Sequence, residues 1–526
     1  MILGDADIAA APASVSENVT LDEIFSRVAQ RRPGALALVD PPNRPVFTDG
    51  PARKLTFADA DRMITAIAGR LRQTGLSADA IVGIQLPNTV ENILALLGVM
   101  RAGMIPAPLP LLWRRADMIA ALARIGGKAL ITCGHVGAFN HSQFAMRVAA
   151  EVFSIRYVCG FGNNLPDGVV SFDDLFTAET LDSVQLPALE QRSNSAAHVA
   201  VVTFDVGEGG IVPVARNHIE LLTGGLGVLL ESRLAQDDTM LSTLAPASFA
   251  GLCQTLLPWL LCGGTLLLHH PFDLPALIEQ WCEGKRCGAL VLPAPIAFRL
   301  AEAGVFSDSS PACVVASWRS PEQLSGTPLW RQHDIGFVDV SIFGEVGMVA
   351  ARRGASGQPA PLPLGAVTAP RDSGGGLPVA ELSTTPLGTL GLRGPMVPHH
   401  DFPPGAERAG LPHLAISPDG MIDSGYACER DDATNTLVVT APPSGTVNVG
   451  GYRLPLRDLQ DVVGLIDAAA SLAAMPDPLV GQRLVGRADD RLTMQAALGA
   501  VGVNPIVVSA FRDSDGPALA ARAHHG

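Results

Sequence analysis

Short apolar runs alternate with amphipathic helical patterns through most of the chain. The apolar runs typical of buried strands lie at 80–86, 128–133, 198–204, 264–270 and 288–293. Between such runs lie helical patterns, for example the one that follows Leu55 and ends at Gly75. Buried strands separated by helices predict an α/β protein with largely parallel sheets.

The length and charge of the chain limit its organisation and its partners. A chain of 526 residues is too long for one ordinary core, so two or more domains are expected. The net charge of -14 argues against a nucleic acid or an anionic membrane as the main partner. Residues 1–14 lack the features of a signal peptide, and the longest apolar run, 256–268, is too short to span a bilayer. We expect a soluble, cytoplasmic protein without a membrane span.

A glycine-rich stretch, TFDVGEGG, has the rhythm of a phosphate-binding loop. Gly207, Gly209 and Gly210 follow an apolar run and precede a pattern that predicts a helix, so their backbone N–H groups could form an anion nest. Asp205 and Glu208 stand where such a loop usually carries hydroxyl groups. A carboxylate about 5 Å from a phosphate oxygen costs about 3 kcal/mol at an effective dielectric constant near 20. These two acids therefore oppose the binding of a triphosphate, although a magnesium ion could bridge them to it.

The order of segments along the chain resembles that of the adenylate-forming superfamily. This superfamily comprises acyl- and aryl-CoA synthetases, luciferases and the adenylation domains of peptide synthetases. Residues 55–111 resemble its N-terminal segment, and residues 387–397 resemble its GExxxxGP strand with Thr389 in place of the usual acid. Residues 475–482 resemble its PDxxxGE segment. The similarity runs over nearly the whole length of the chain.

The resemblance implies a fold and a reaction. Residues 1–440 are expected to form a large N-terminal domain with two α/β subdomains and a small barrel-like part. Residues 441–445, in a stretch rich in proline and glycine, are the expected hinge, and residues 446–526 the expected small α+β lobe. Superfamily members bind Mg-ATP and a carboxylic acid, form an acyl-adenylate and pass the acyl group to a thiol such as CoA. The small lobe rotates about the hinge between the two steps.

The phosphate-loop motif TSGTTGxPKG of the superfamily is altered here. The resemblance places Asp205 and Glu208 at positions of hydroxyl-bearing residues, and it places Pro213 or Val214 at the position of the lysine. Gly207 and Gly210 match the glycines of the motif. The loop therefore keeps the backbone shape implied by the resemblance but not its side-chain chemistry.

The other nucleotide-binding motifs are also altered. In the segment that corresponds to YGxTE, Phe343 and Gly344 match the aromatic residue and the glycine, while Glu345 is a possible replacement for the lost metal-linked acid. Tyr426 stands where the resemblance places a ribose-binding aspartate, and Gly445 where it places the hinge acid.

The catalytic lysine of the small lobe is missing as well. The lysine implied by the resemblance would fall near Gly516, but the three lysines of the chain are Lys54, Lys128 and Lys285. Loss of one oriented charge of this kind typically lowers a rate by about 10²–10³. Together with the altered motifs, this loss indicates that the whole adenylation apparatus has been relaxed.

Three functions are compatible with these residues. The main prediction is an acyl-CoA synthetase homologue that has lost adenylation and binds an acyl compound, a nucleotide fragment or a protein partner, with no assigned catalytic residue, metal or cofactor. The first alternative is a divergent, active acyl- or aryl-CoA ligase that uses Mg-ATP and CoA, with Glu345 and Arg216 as substitute residues. The second alternative is a structural subunit of a larger assembly, whether with another protein or as a homo-oligomer.

Several other residues are candidates for a functional site. His269, His270 and His399 could ligate a metal, but they are expected to be solvated loop histidines. Trp318 lies near the segment that lines the adenine pocket in the superfamily, and ordinary packing is the expected role. Ser248 stands in the region where many superfamily members carry a histidine. The eight cysteines show no common zinc-binding spacing, which favours reduced core thiols.

Overall fold

The computed structural model describes residues 19–177, 186, 195–207, 209–282, 287–306, 310–370 and 376–512. Its first part alternates helices with short strands. The elements of this part are α1 (Leu21–Arg31), β1 (Leu36–Val39), α2 (Arg44–Phe47), β2 (Lys54–Thr56), α3 (Phe57–Gln73), β3 (Ile81–Ile84), α4 (Val90–Arg101), β4 (Ile105–Pro108), α5 (Arg115–Ile125), β5 (Ala129–Cys133), β6 (His135–Val136), β7 (Phe139–Asn140), α6 (His141–Glu151), β8 (Tyr157–Phe161) and β9 (Val169–Ser171).

Local sequence explains where the first helices begin. Thr20 and Glu23 form a capping box at the start of α1, and Thr56 and Asp59 form another at the start of α3. Each box satisfies backbone N–H groups that have no partner inside the helix. The apolar faces of both helices are buried in the main hydrophobic core. The capping box expected at Thr20 is therefore present.

The second part of the chain opens with a hairpin and continues as an α/β unit. Its elements are β10 (Val199–Gly207), β11 (Gly210–Asn217), α7 (His218–Ser232), β12 (Thr239–Ser242), α8 (Phe249–Gly251), a π-helical turn (Leu252–Leu256), α9 (Leu257–Cys262), β13 (Thr265–Leu268), α10 (Leu274–Cys282), β14 (Ala289–Pro293), α11 (Ala294–Glu302), β15 (Cys313–Trp318), β16 (Gly336–Phe343) and β17 (Gly347–Arg352).

The helix expected directly after the glycine-rich loop does not begin there. Gly207 pairs with Gly210 at the turn of an antiparallel hairpin between β10 and β11, and α7 begins only at His218. The mostly buried run from Ile211 to Asn217 forms the second strand of the hairpin, and Asn217 caps α7. The glycines therefore lie at a hairpin turn and gain no help from a helix dipole in binding an anion.

The last part of the described chain is rich in antiparallel strands. It contains β18 (Leu362–Pro363), β19 (Gly365–Pro370), β20 (Gly376–Thr384), β21 (Thr389–Arg393), β22 (Ile422–Asp431), β23 (Thr436–Ala441), β24 (Thr446–Val449), β25 (Tyr452–Pro455), α12 (Leu456–Ile466), β26 (Ser471–Asp477), β27 (Gly481–Arg487), α13 (Arg491–Val501) and α14 (Pro505–Ser509).

The strands assemble into four larger sheets. One has the order β17-β16-β15-β14-β12-β13-β1-β2, is parallel from β16 to β1 and carries an antiparallel strand at each edge. A second, β4-β3-β5-β8-β9, is entirely parallel. A six-stranded antiparallel sheet runs β18-β23-β22-β21-β20-β19. The expected α/β class, with two α/β units and a further strand-rich part, is confirmed.

The chain after β23 builds a smaller unit with its own core. The sheet β25-β24-β27-β26 packs with α12, α13 and α14 around a separate hydrophobic cluster that includes Val447, Val463 and Phe511. The expected hinge, residues 441–445, lies between β23 and β24. Rotation about it stays a prediction, as do the expected domain boundaries. Within the described residues, no helix is both long and apolar enough to cross a membrane.

Candidate functional site

A cavity of about 400 Å³ opens where strands of both parallel sheets end. Pro87 follows β3, Trp113 follows β4, Leu244 follows β12 and Arg319 follows β15, and all four line the cavity. In open α/β sheets, ligands bind beyond the carboxyl ends of the strands, because loops from several strands converge there. The hairpin between β24 and β25, in the small unit, closes another side. This cavity is the candidate binding site.

An ion pair between the two units stands at the edge of the cavity. Arg453, on β25, donates from Nη1 to Oδ1 of Asp205 on β10 at 2.7 Å. The other carboxylate oxygen of Asp205 accepts the backbone N–H of Glu345 at 2.8 Å. Burial opposes the charge of Arg453, but Asp205 and Tyr426 outweigh it, so the pKa of this guanidinium is raised. The sequence alone shows Asp205 as an unpaired charge, and the structure corrects this by placing Arg453 against it.

Tyr426 completes a three-residue cluster with this ion pair. Its hydroxyl accepts a 2.9 Å hydrogen bond from Nη2 of Arg453, and its side chain is almost wholly buried. Burial raises the pKa of the Tyr426 hydroxyl. We call Asp205, Arg453 and Tyr426 the interlobe cluster. It places a neutral phenol where the resemblance implies a carboxylate for the ribose hydroxyls.

Gly344 is required by the interlobe cluster. Its backbone has a φ of 58°, and a Cβ added there would lie 2.3 Å from Oδ2 of Asp205 and 2.7 Å from Nη1 of Arg453. Any other residue would therefore displace the ion pair and strain the backbone. The glycine that matches the superfamily motif therefore also leaves room for the ion pair between Asp205 and Arg453.

Phe343 does not offer a stacking surface to the cavity. Its ring is fully buried, and it packs edge-on against Tyr426 with a centroid distance of 5.6 Å. The expectation that Phe343 could stack on a base is therefore not met in this arrangement. Of the loop glycines, Gly209 is exposed, and Gly207 and Gly210 are half-buried at the hairpin turn, outside the cavity lining. Glu208, the second acid predicted to oppose phosphate, lies outside the described residues.

Glu345 is buried at the cavity wall. It sits in the turn between β16 and β17 rather than in a regular strand, because Phe343 pairs with Gly347 across that turn. Its Oε2 accepts the backbone N–H of Phe249 at 2.9 Å. Burial raises the pKa of the Glu345 carboxyl to about 7, with a further contribution from Asp205. At neutral pH this carboxyl is therefore partly protonated.

Arg216 does not reach the cavity. Its guanidinium is fully buried, stacks 3.6 Å from the ring centroid of Phe249 and donates to the carbonyls of Met396, Glu345 and Val346. Burial lowers the pKa of Arg216. The sequence-based idea that Arg216 replaces a missing site residue is wrong, because its guanidinium binds backbone carbonyls of the core instead of facing the cavity.

Arg319 is a site residue that sequence analysis missed. It follows directly after β15, lines the cavity and donates from Nη2 to Oγ of Ser248 at 3.0 Å. In the sequence, the one sign of this role is an arginine directly after an apolar run, in the segment ASWRSP. The signal is weak because nothing in the local sequence shows that Ser248 and the small unit close around this side chain.

The remaining candidates have structural roles. His269 is buried, not solvated as expected, and its Nδ1 lies 3.0 Å from Oε1 of Gln280, while His399 pairs with Glu220. Trp318 is packed in the core and donates to Asp339 at 2.8 Å, as expected for ordinary packing. In the described ranges, no group of three or more potential metal ligands comes together. The segment around Gly516, where the resemblance places the small-lobe lysine, lies outside the described residues.

Comparison with known proteins identifies the family. The family model described as "AMP-binding enzyme" matches residues 25–325, more than half of the chain. The chain belongs to the AMP-binding enzyme family. The expected resemblance to the adenylate-forming superfamily is thereby confirmed.

Two curated relatives align with most of this AMP-binding family protein. A salicyl-AMP ligase / salicyl-S-ArCP synthetase of Mycobacterium tuberculosis is 26% identical over 88% of this chain and 80% of its own length. A salicylyl-CoA synthase / salicylate adenylyltransferase from a Streptomyces species is 22% identical over 83% of this chain and 79% of its own. Both alignments extend well beyond the family-model match.

Solved structures share the fold. The apo structure of MbtA from Mycobacterium smegmatis superposes with a TM-score of 0.61 at 21% identity, covering 93% of this chain and 90% of that one. The amide bond synthetase McbA from Marinactinospora thermotolerans gives a TM-score of 0.67 at 17% identity, covering 93% and 94%. At these identities the likeness concerns the fold alone.

Proposed function

We propose that this AMP-binding family protein binds a small organic acid in the cavity without adenylating it. The observation that carries the proposal is the interlobe cluster, in which Arg453 donates hydrogen bonds to both Asp205 and Tyr426. Asp205 and Tyr426 stand at positions that the superfamily resemblance assigns to nucleotide binding. The apolar part of the cavity, beside Trp113 and Leu244, stays open.

Nucleotide binding is opposed both with and without the ion pair. While the pair is formed, Asp205 and Arg453 occupy part of the cavity wall and hold the small unit against β10. If the small unit moves away, Arg453 leaves and the Asp205 carboxylate faces the phosphates, at a cost of about 3 kcal/mol per close charge pair.

A second candidate function is an active ligase that joins an aryl or acyl carboxylate to a thiol. The relatives named as salicylate-activating enzymes favour it, since they align over most of their length with this chain. In that case Mg-ATP is the cofactor. Glu345 is then the candidate metal-linked acid, because it lies two positions in sequence from Gly347, where the superfamily carries that acid. An assembly subunit, the third expectation, has no specific observation in its favour.

Isothermal titration calorimetry with Mg-ATP tests the main proposal. We expect no heat of binding up to about 1 mM ATP, and no pyrophosphate release when salicylate, benzoate or octanoate is added with Mg-ATP and CoA. A Tyr426→Asp, Asp205→Thr double variant, which restores two superfamily-type residues, is expected to bind ATP more tightly than the wild type. As a matched control, Asp419→Asn changes an exposed carboxylate away from the cavity. Pyrophosphate release by the wild type would establish the ligase instead.

A further inference from the structure

The guanidinium of Arg319 has a charge that the protein leaves without an ionic partner. In the described part of the chain, the hydrogen bond from Nη2 to Ser248 is its one side-chain interaction with a polar atom, and no carboxylate forms an ion pair with it. By contrast, Arg453 nearby has both Asp205 and Tyr426 as partners. The remaining N–H groups of Arg319 are thus free for a ligand in the cavity.

The surroundings of Arg319 favour an added anion. Burial lowers its pKa, against the raising effects of Glu345, Tyr452 and Tyr426, and Arg453 lowers it further. The neighbouring charges therefore do not offset the desolvation of this guanidinium. Glu345, the acid that acts on it most strongly, is partly protonated at neutral pH because burial raises its pKa to about 7. A bound anion would supply the missing compensation.

The hairpin of the small unit fixes the position of Arg319. Gly451, at the turn between β24 and β25, approaches so closely that a Cβ there would lie 2.6 Å from Cδ of Arg319. Asn448, on β24, donates from Nδ2 to the carbonyl of Arg319 at 3.1 Å. The aliphatic stem is therefore confined, and less side-chain entropy is lost when a ligand binds the guanidinium.

The rest of the cavity wall suits an apolar ligand body. Trp113 and Phe204 meet edge-on with a centroid distance of 5.4 Å and line the cavity together with Leu111 and Ile342. His270 also lines it, and burial lowers the pKa of this histidine to about 4, so it adds no positive charge at neutral pH. The cavity thus combines an apolar wall with an unpaired guanidinium.

We propose that Arg319 binds the anionic group of a small organic acid whose apolar body fills the cavity, and that the site selects the free acid over its esters and amides. The inference rests on the proposed function, because a carboxylate held by Arg319 keeps its charge instead of being converted to an acyl group. An arginine binds a carboxylate with two parallel hydrogen bonds, and a neutral amide or ester cannot replace both.

Calorimetry with benzoate, benzenesulfonate, benzamide and methyl benzoate tests this selectivity on the full chain. Benzoate and benzenesulfonate are expected to bind at least tenfold more tightly than benzamide and methyl benzoate. Arg319→Met should weaken benzoate binding by about 10–100-fold and remove the preference for the anion. Arg299→Met is the matched control, since it removes the same charge from an exposed helix position.

The charge-preserving variant Arg319→Lys keeps the test decisive if Arg319→Met does not fold, as judged by circular dichroism. It should still prefer benzoate to benzamide but bind benzoate several-fold more weakly than the wild type, because lysine offers no planar pair of donors. The inference is overturned if benzamide binds as tightly as benzoate, if Arg319→Met or Arg319→Lys keeps wild-type affinity for benzoate, or if neither anion binds. Pyrophosphate release would instead overturn the proposed function, so the two failures are distinguishable.

Discussion

Glu345 shows how a single buried side chain sets the electrostatics of the site. It lies beside Asp205 and accepts a backbone hydrogen bond from Phe249, yet it has no ion-pair partner among the described residues. Burial raises its pKa from the model-compound value of 4.5 to about 7. Proton binding by Glu345 is thus coupled to folding. The protonation state of Glu345 also sets how much negative charge acts on Arg319.

The Glu345→Gln variant is expected to change the pH dependence of stability. Because the folded pKa is above the unfolded one, the folded protein binds this proton more tightly, and stability falls as pH rises from about 4.5 to 7. The wild type should therefore lose about 1–3 kcal/mol more than Glu345→Gln between about pH 5 and pH 8. Urea unfolding at both pH values measures this difference.

Glu302→Gln, at an exposed position, is the control and should follow the wild type. A parallel loss in Glu345→Gln would show that other groups cause the pH dependence.

At the scale of elements, the hairpin β24–β25 is the element that joins the small unit to the cavity. Its two strands pair in register from Thr446 with Pro455 to Val449 with Tyr452, which aims Arg453 towards Asp205. The turn between them consists of Gly450 and Gly451, both with positive φ. The hairpin therefore depends on two residues without side chains to come this close to β15.

Gly451→Ala is expected to loosen this contact. The new methyl group would meet the stem of Arg319, and alanine disfavours the φ of 93° that the turn requires. We expect a loss of about 1–3 kcal/mol in unfolding free energy and weaker benzoate binding by calorimetry. Gly464→Ala is the matched control, because Gly464 lies in α12 with open space around it. It should be neutral or slightly stabilising. Equal behaviour of both variants would contradict a tight fit at Gly451.

At the scale of the whole molecule, the interlobe cluster connects parts of the chain that are far apart in sequence. Arg453 and Asp205 are 248 residues apart, and Tyr426 precedes the expected hinge while Arg453 follows it. If the hinge at 441–445 permits rotation, the ion pair must break for the small unit to turn. The cluster should therefore hold the small unit in the docked position.

Breaking the cluster is expected to expose the hinge. Asp205→Asn and Arg453→Met should each destabilise the fold by about 3 kcal/mol, and the double variant should show a coupling energy of about 1–3 kcal/mol. Limited proteolysis followed by mass spectrometry should find faster cleavage near residues 441–445 in each single variant than in Asp419→Asn, a change at an exposed position. Additive effects with unchanged cleavage would show that the pair does not restrain the small unit.

The sequence by itself determined the α/β class, the family and the replacement of the nucleotide-binding residues. Apolar runs and helical periodicity are local, and motif positions such as Tyr426 are visible in the chain without coordinates. Only the tertiary structure decided what the replacing side chains do: Asp205 meets Arg453, Arg216 is buried among carbonyls, and Arg319 is left unpaired in a cavity. The physical reason is that the role of a charged side chain depends on its partners and on its burial. Both depend on contacts between strands and loops that are distant in the sequence, which no local pattern encodes.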